Sequence, residues 1–287
     1  MVAGTAIPTN GDYRLARVRM PLALTDAAGI EADRDGLALV DIEVRGGRIG
    51  SIGAAAAHPV PGMIDLGGRM VLPCFVDSHT HIDKGHIWPR MPNPDGTFPS
   101  ALEAVGRDRV ARWSAADVER RMEFALRCAY AHGTAALRTH LDSLPPQETI
   151  SWPVFEMMRE RWAGRIALQA ACLIIIEQVR DRRWFASLVD RVADAKGVLG
   201  CVTFMVPDLD ALLDDVVRAA AYRDLDLDFH ADETADPLAV SLDRIADAVL
   251  RNRFKGRVLA GHCCSLAQQP DADIHLEEFE AMLDAPL

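Results

Sequence analysis

From residue 70 onward, short apolar runs alternate with stretches in which leucine, valine and alanine recur at helical spacing. The runs fall at 70–76, 134–141, 165–173, 197–205, 226–230 and 257–262. Their near-continuous apolar character suits parallel strands covered on both faces. Between them, "SAADVERRMEFALRCAYAHG" opens on a Ser114 cap and stops at Gly133, the two marks of a helix's ends. "DLDALLDDVVRAAAYRD" and "DPLAVSLDRIADAVLRN" carry the same 3.6-residue period. Six such alternations predict a parallel α/β fold. Before residue 70 the rhythm differs. "ALVDIEVRGGRIGSIG" alternates with period two and turns at Gly46–Gly47, which predicts a β-hairpin. The chain therefore divides into a small β unit over 1–69 and a larger domain over 70–287.

Two parallel architectures compete for that larger domain. A doubly wound nucleotide-binding sheet places a glycine-rich turn after its first strand. Here the first strand runs into "FVDSHTHIDKGH" instead. Polar residues gather where the strands end, as they do in a (β/α)8-type (TIM-like) barrel. Composition narrows the function further. The 287 residues are 49% hydrophobic, enough for a core, and the net charge of −11 argues against a phosphate backbone as partner. The six cysteines form no C-x-x-C pair, so no disulfide framework is expected and a cytoplasmic setting is. The N-terminus shows no secretory pattern. The longest apolar run, "IALQAACLIII", is about half a bilayer span, so no membrane partner is expected. Self-association is left open.

Side chains two apart share a face of a strand. Asp77, His79 and His81 therefore point one way. Arg138, His140 and Asp142 share a face after the second run, as do Asp226, Asp228 and His230 after the fifth. The sixth run ends at His262. His79, His81 and His230 together predict a site for one divalent metal ion, Zn²⁺ or Fe²⁺, which lowers the pKa of bound water to about 7. His140 is read as a structural histidine. Glu233, three residues after His230, is placed to take a proton from that water and return it to the substrate. His262 would orient the nucleophile or stabilise the developing tetrahedral centre.

In order, "LPCFVDSHTHIDKG", "RTHLDS", "DFHADET" and "VLAGHCCS" resemble the landmarks of the cytosine deaminase group of the amidohydrolase superfamily. The resemblance implies a small β-sandwich ahead of the barrel and a mononuclear metal deaminase. It matches His79, His81 and His230 to metal ligands, Glu233 to the proton shuttle and His262 to the histidine beside the water. It implies a small heterocyclic substrate, attacked by metal-bound hydroxide at a ring C–N carbon. Lys84 recurs in relatives acting on cytosine, creatinine-like rings and s-triazines. Relatives that open cyclic amides with two metals carry a bridging lysine at the fourth strand's end; "GVLGCVTFMVPD" has none there.

Two departures stand out. Ile174 and Ile175 take the place of the Pro-Gln pair that reads the pyrimidine edge in the cytosine enzymes. The superfamily barrel also has eight strands and an aspartate after the eighth, whereas six strands are visible here. The tail, with Leu276, Phe279 and Leu283 on one face, is expected to be the sixth helix of a barrel truncated before strands seven and eight. The alternatives to a deaminase are an inactive remnant that binds metal weakly or only associates, and a cyclic amide hydrolase.

Overall fold

The computed structural model describes residues 7–8, 10–58, 60–93 and 95–270. They fall into two compact units, divided between Cys74 and Phe75.

The first unit is a four-stranded sheet. Strands β1 (Tyr13–Pro21), β2 (Leu37–Arg45), β3 (Arg48–Ala54) and β4 (Ile64–Asp65) lie in the order β3-β2-β1-β4. β2 and β3 form the expected hairpin, and Gly46 and Gly47 both take positive φ, which only glycine adopts without strain. Period-two patterning does the rest. Ala38, Val40, Ile42 and Val44 alternate inward from β2 and pack with Leu15, Val18, Met20 and Leu66. The unit expected to be a β-sandwich lacking the family's C-terminal strands is, among the described residues, a single four-stranded sheet. One apolar face per strand builds one buried layer.

The second unit carries six parallel strands. They are β5 (Phe75–Thr80), β6 (Thr134–Asp142), β7 (Ala167–Leu173), β8 (Leu199–Thr203), β9 (Leu227–Ala231) and β10 (Val258–His262). β5-β6-β7 and β8-β9-β10 are hydrogen-bonded sheets, bridged by Ala171–Val198 and Ile175–Val202. Six helices follow the strands: α1 (Phe98–Arg112), α2 (Ala115–Ala131), α3 (Glu148–Arg161), α4 (Arg182–Asp194), α5 (Leu209–Arg223) and α6 (Ser241–Arg251). Large apolar side chains such as Trp152, Phe155, Leu213 and Phe229 fill the core between helices and strands. This is the βα order of the expected barrel, but the described strands do not close. The helix expected from Leu276, Phe279 and Leu283 lies outside the described residues.

The boundaries differ in three places. β5 starts at Phe75 rather than at residue 70, because Pro73 has no N–H to give a ladder. α1 had no clear apolar stripe, and the structure buries only Ala104 and Asp108 from it. α6 begins at Ser241, five residues after the helical pattern suggested, with Leu238 exposed ahead of it.

Candidate metal centre

The C-terminal ends of β5, β6, β9 and β10 bring their histidines together. His79 lies at ring-centroid distances of 4.5 Å from His230, 4.9 Å from His262 and 5.3 Å from His81. His230 and His262 are 4.7 Å apart. The first strand comes close to the sixth at Gly261, where an added Cβ would touch the His79 ring at 3.4 Å, an ordinary van der Waals contact.

His140 was expected to be structural, and the structure changes that placement. Its ring is fully buried, 4.2 Å from His79 and 4.6 Å from His230. One ligand atom from each of His79, His81, His140 and His230 lies within 4.8 Å of the other three. Strand parity alone put His140 on the right face. What it did not reveal was that β6 sits beside β5 with Thr139 opposite Thr80, so that the two strands present their histidines at one level.

The donor set fits a first-row dication. His79 Nε2, His81 Nδ1 and both ring nitrogens of His140 and His230 are buried without a well-directed hydrogen bond, and a cation would engage such orphaned donors. Burial, and then the charge of Lys84, pushes His81 down to about 2. Burial, and then the neighbouring histidines, pushes His230 down to about 2. His79 is lowered too, first by burial. Neutral imidazoles are the protonation state that ligates Zn²⁺ or Fe²⁺.

Glu233 and His262 sit at the edge of the same cluster, Oε1 to Nδ1 3.7 Å, with 31% and 25% of their side chains exposed. Both line a cavity of about 480 Å³ with His81, Lys84, His230 and Asp232. Its apolar wall includes Phe98, Leu102, Ile175 and Phe204. The volume is that of small-molecule sites, roughly 300–1,000 Å³. Asp232, His262 and Cys263 hold positive φ at 48°, 67° and 47°, so the turns after β9 and β10 are strained where they frame the cavity. A second cavity, about 500 Å³, lies toward the other end of the strands and has no histidine in its lining.

A buried ionic network supports the rim. Asp142 accepts from Lys84 Nζ at 3.1 Å and from Arg109 at 3.0 Å. Its backbone N–H donates to Asp83 Oδ2 at 2.9 Å. Asp83 is wholly buried; desolvation, and then the Asp142 charge, pushes its carboxyl up to about 7. Arg90 pairs with Asp108 and Asp117 at 2.6 Å each, tying the segment after β5 to α1 and α2. Sequence reasoning did not find Asp83, Arg109 or the Asp142 pairing, because the partners are 33 to 59 residues apart.

The amidohydrolase family profile matches residues 62–140. A pterin deaminase of Rhizobium rhizogenes is 50% identical over 265 residues, 92% of this chain and 60% of the relative. An N-isopropylammelide isopropyl amidohydrolase of a Pseudomonas species is 26% identical over 238 residues, 80% of this chain and 59% of the relative. In fold, the second comparison is with 5-methylcytosine deaminase from Klebsiella pneumoniae, TM-score 0.74 at 22% identity, covering 95% of this chain and 63% of that one. The chain thus spans about 60% of the length of the relatives it matches. The family profile and the likeness along nine-tenths of this chain's sequence make the chain similar to members of the amidohydrolase superfamily.

Proposed function

We propose that this chain carries the metal-binding part of a deaminase that hydrolyses an amino-substituted heterocycle to ammonia and the corresponding oxo ring. The finer reading is a pterin-like substrate, supported by the relative named pterin deaminase at 50% identity. The observation that carries the proposal is the convergence of neutral histidines, Glu233 and His262 on one cavity. In this reading His79, His81 and His230 hold one dication. When bound, Zn²⁺ or Fe²⁺ supplies Lewis acidity that makes water nucleophilic near neutral pH. The remaining work falls to the chain. Glu233 takes a proton from the attacking water and delivers it to the leaving amine. His262, within reach of Glu233, orients the water and steadies charge at the attacked carbon. The apolar wall of Phe98, Leu102, Ile175 and Phe204 takes the flat face of the ring, and Lys84, held by Asp142, offers N–H donors to a ring oxygen.

The test is ammonia release from a panel of a pterin, cytosine, a creatinine-like ring and an s-triazine. Glu233→Gln should lower turnover by about 10² to 10⁴-fold while bound metal stays unchanged. Undiminished turnover in that variant contradicts the role of Glu233. Ring-opened product without ammonia contradicts the reaction class.

A further inference from the structure

We infer that Arg109 is a positioning residue: through Asp142 it holds the α1 wall over the cavity and fixes the Lys84 ammonium at the cavity's edge. The inference rests on reading that cavity as the substrate site.

One face of α1 lines the cavity, with Phe98, Ala101, Leu102 and Val105. Their spacing of three and four residues makes a single stripe, and Arg109 continues it one turn further. The protein itself covers this stripe poorly. Val105 packs against the core, but Phe98 and Leu102 stay 49% and 57% exposed. α1 buries only Ala104 and Asp108. Apolar burial therefore contributes little to keeping the wall in place. Ion pairs hold it instead. One is Arg90 with Asp108 at 2.6 Å. The other is Arg109, whose Nη1 donates to Asp142 Oδ2 at 3.0 Å. The Asp142 side chain is 8% exposed and that of Arg109 25%, so this is not the open-surface kind of pair that stabilises by almost nothing.

Asp142 gives its other oxygen, Oδ1, to Lys84 Nζ at 3.1 Å. One carboxylate thus joins the α1 wall to the lysine of the cavity lining. With Oδ2 taken by Arg109, the ammonium is held by a single oxygen and keeps its remaining N–H donors for a ligand. Without Arg109, both oxygens fall to Lys84. The ammonium is then drawn toward Asp142 while α1 loses an anchor. Binding weakens, whereas Glu233 and His262, which follow other strands, stay in place.

The test uses the metal-loaded full chain and whichever member of the ammonia-release panel the wild type turns over. The variants are Arg109→Gln, Arg109→Lys and, as a control, Arg107→Gln, an exposed position 3.8 Å from Glu103. In Arg109→Gln, KM should rise about 10-fold while kcat stays within about 3-fold of the wild type, as loss of a contact common to ground and transition states requires. Arg109 engages Asp142 through one nitrogen, so Arg109→Lys should bring KM back to within about 3-fold. Hydrogen exchange of the ligand-free chain gives a second reading. Amides over 98–107 should exchange about 10-fold faster in Arg109→Gln, with α2 and the Arg107→Gln chain unchanged. A wild-type KM in Arg109→Gln, or a fall in kcat as large as the expected rise in KM, overturns the inference. So does unchanged exchange across α1. If the wild type turns over no member of the panel, the substrate reading of the cavity fails by itself, and the exchange result still decides whether Arg109 tethers α1.

Discussion

A histidine that stays neutral in the fold leaves a mark on stability that can be read without any assay of turnover. In chelator, His81 and His230 hold no proton in the folded chain until about pH 2, but in the unfolded chain they protonate near 6.5. Between those values the unfolded state binds the extra protons, so stability falls as pH drops. Asp83 works the other way. Its folded carboxyl titrates near 7 against 3.8 unfolded, so its contribution is present in acid and lost as pH rises toward 7. Two histidines against one acid leave about one proton, roughly 1.4 kcal/mol per pH unit. Urea midpoints measured in chelator from pH 4.5 to 6 should therefore rise with pH; a flat or falling series contradicts neutral burial of the pair. At this scale, much was legible. Period-two alternation assigned a face to His79, His81 and His230 without knowledge of neighbours, whereas His262 was read as the end of the sixth run and through the family resemblance. The environment of His140 was not legible, because Asp228, which faces it, comes from a strand 88 positions later.

Among the elements, the tight packing of β8 against β9 sets the level at which His230 emerges. Gly200 on β8 is the point of closest approach. An added Cβ there would lie 2.1 Å from the Asp228 carbonyl oxygen and 2.9 Å from that of Cys172. Both obstacles are backbone, so neither can swing aside. Gly200→Ala should destabilise the chain by about 3 kcal/mol and weaken metal binding together, since the strand bearing Asp228 and His230 must shift. A melting temperature within error of the wild type counts against this packing account. The elements found from sequence were those with strong local signals. α2 has its Ser114 cap, where the side chain accepts from the Asp117 N–H, and the β2–β3 hairpin has its paired glycines. α1 was missed because its attachment is ionic rather than apolar. Arg90 holds buried Asp108, whose Oδ2 also accepts from the Trp113 indole at 2.7 Å. Hydrophobic period carries no trace of such a tether.

For the whole molecule, the alternation of strands and helices made the α/β class and the barrel order legible from the start. Closure was not, since it depends on long-range pairing that local pattern does not encode. Among the described residues the six strands remain an open array, with Phe75 and Val76 of β5 exposed. No helix among the described residues is long and apolar enough to cross a membrane. The central claim is that side chains from separate strands form one cation site within this chain. A ligand bound only by the folded state raises stability by RT ln(1 + [L]/Kd), so Zn²⁺ at 100 times its Kd should add about 2.7 kcal/mol. The most direct measurement is equilibrium dialysis of the full chain against Zn²⁺, beside His230→Ala. The account predicts one Zn²⁺ per wild-type chain and loss of that ion in the variant. A wild-type chain with no bound Zn²⁺, or a variant that retains it at the same affinity, contradicts the account.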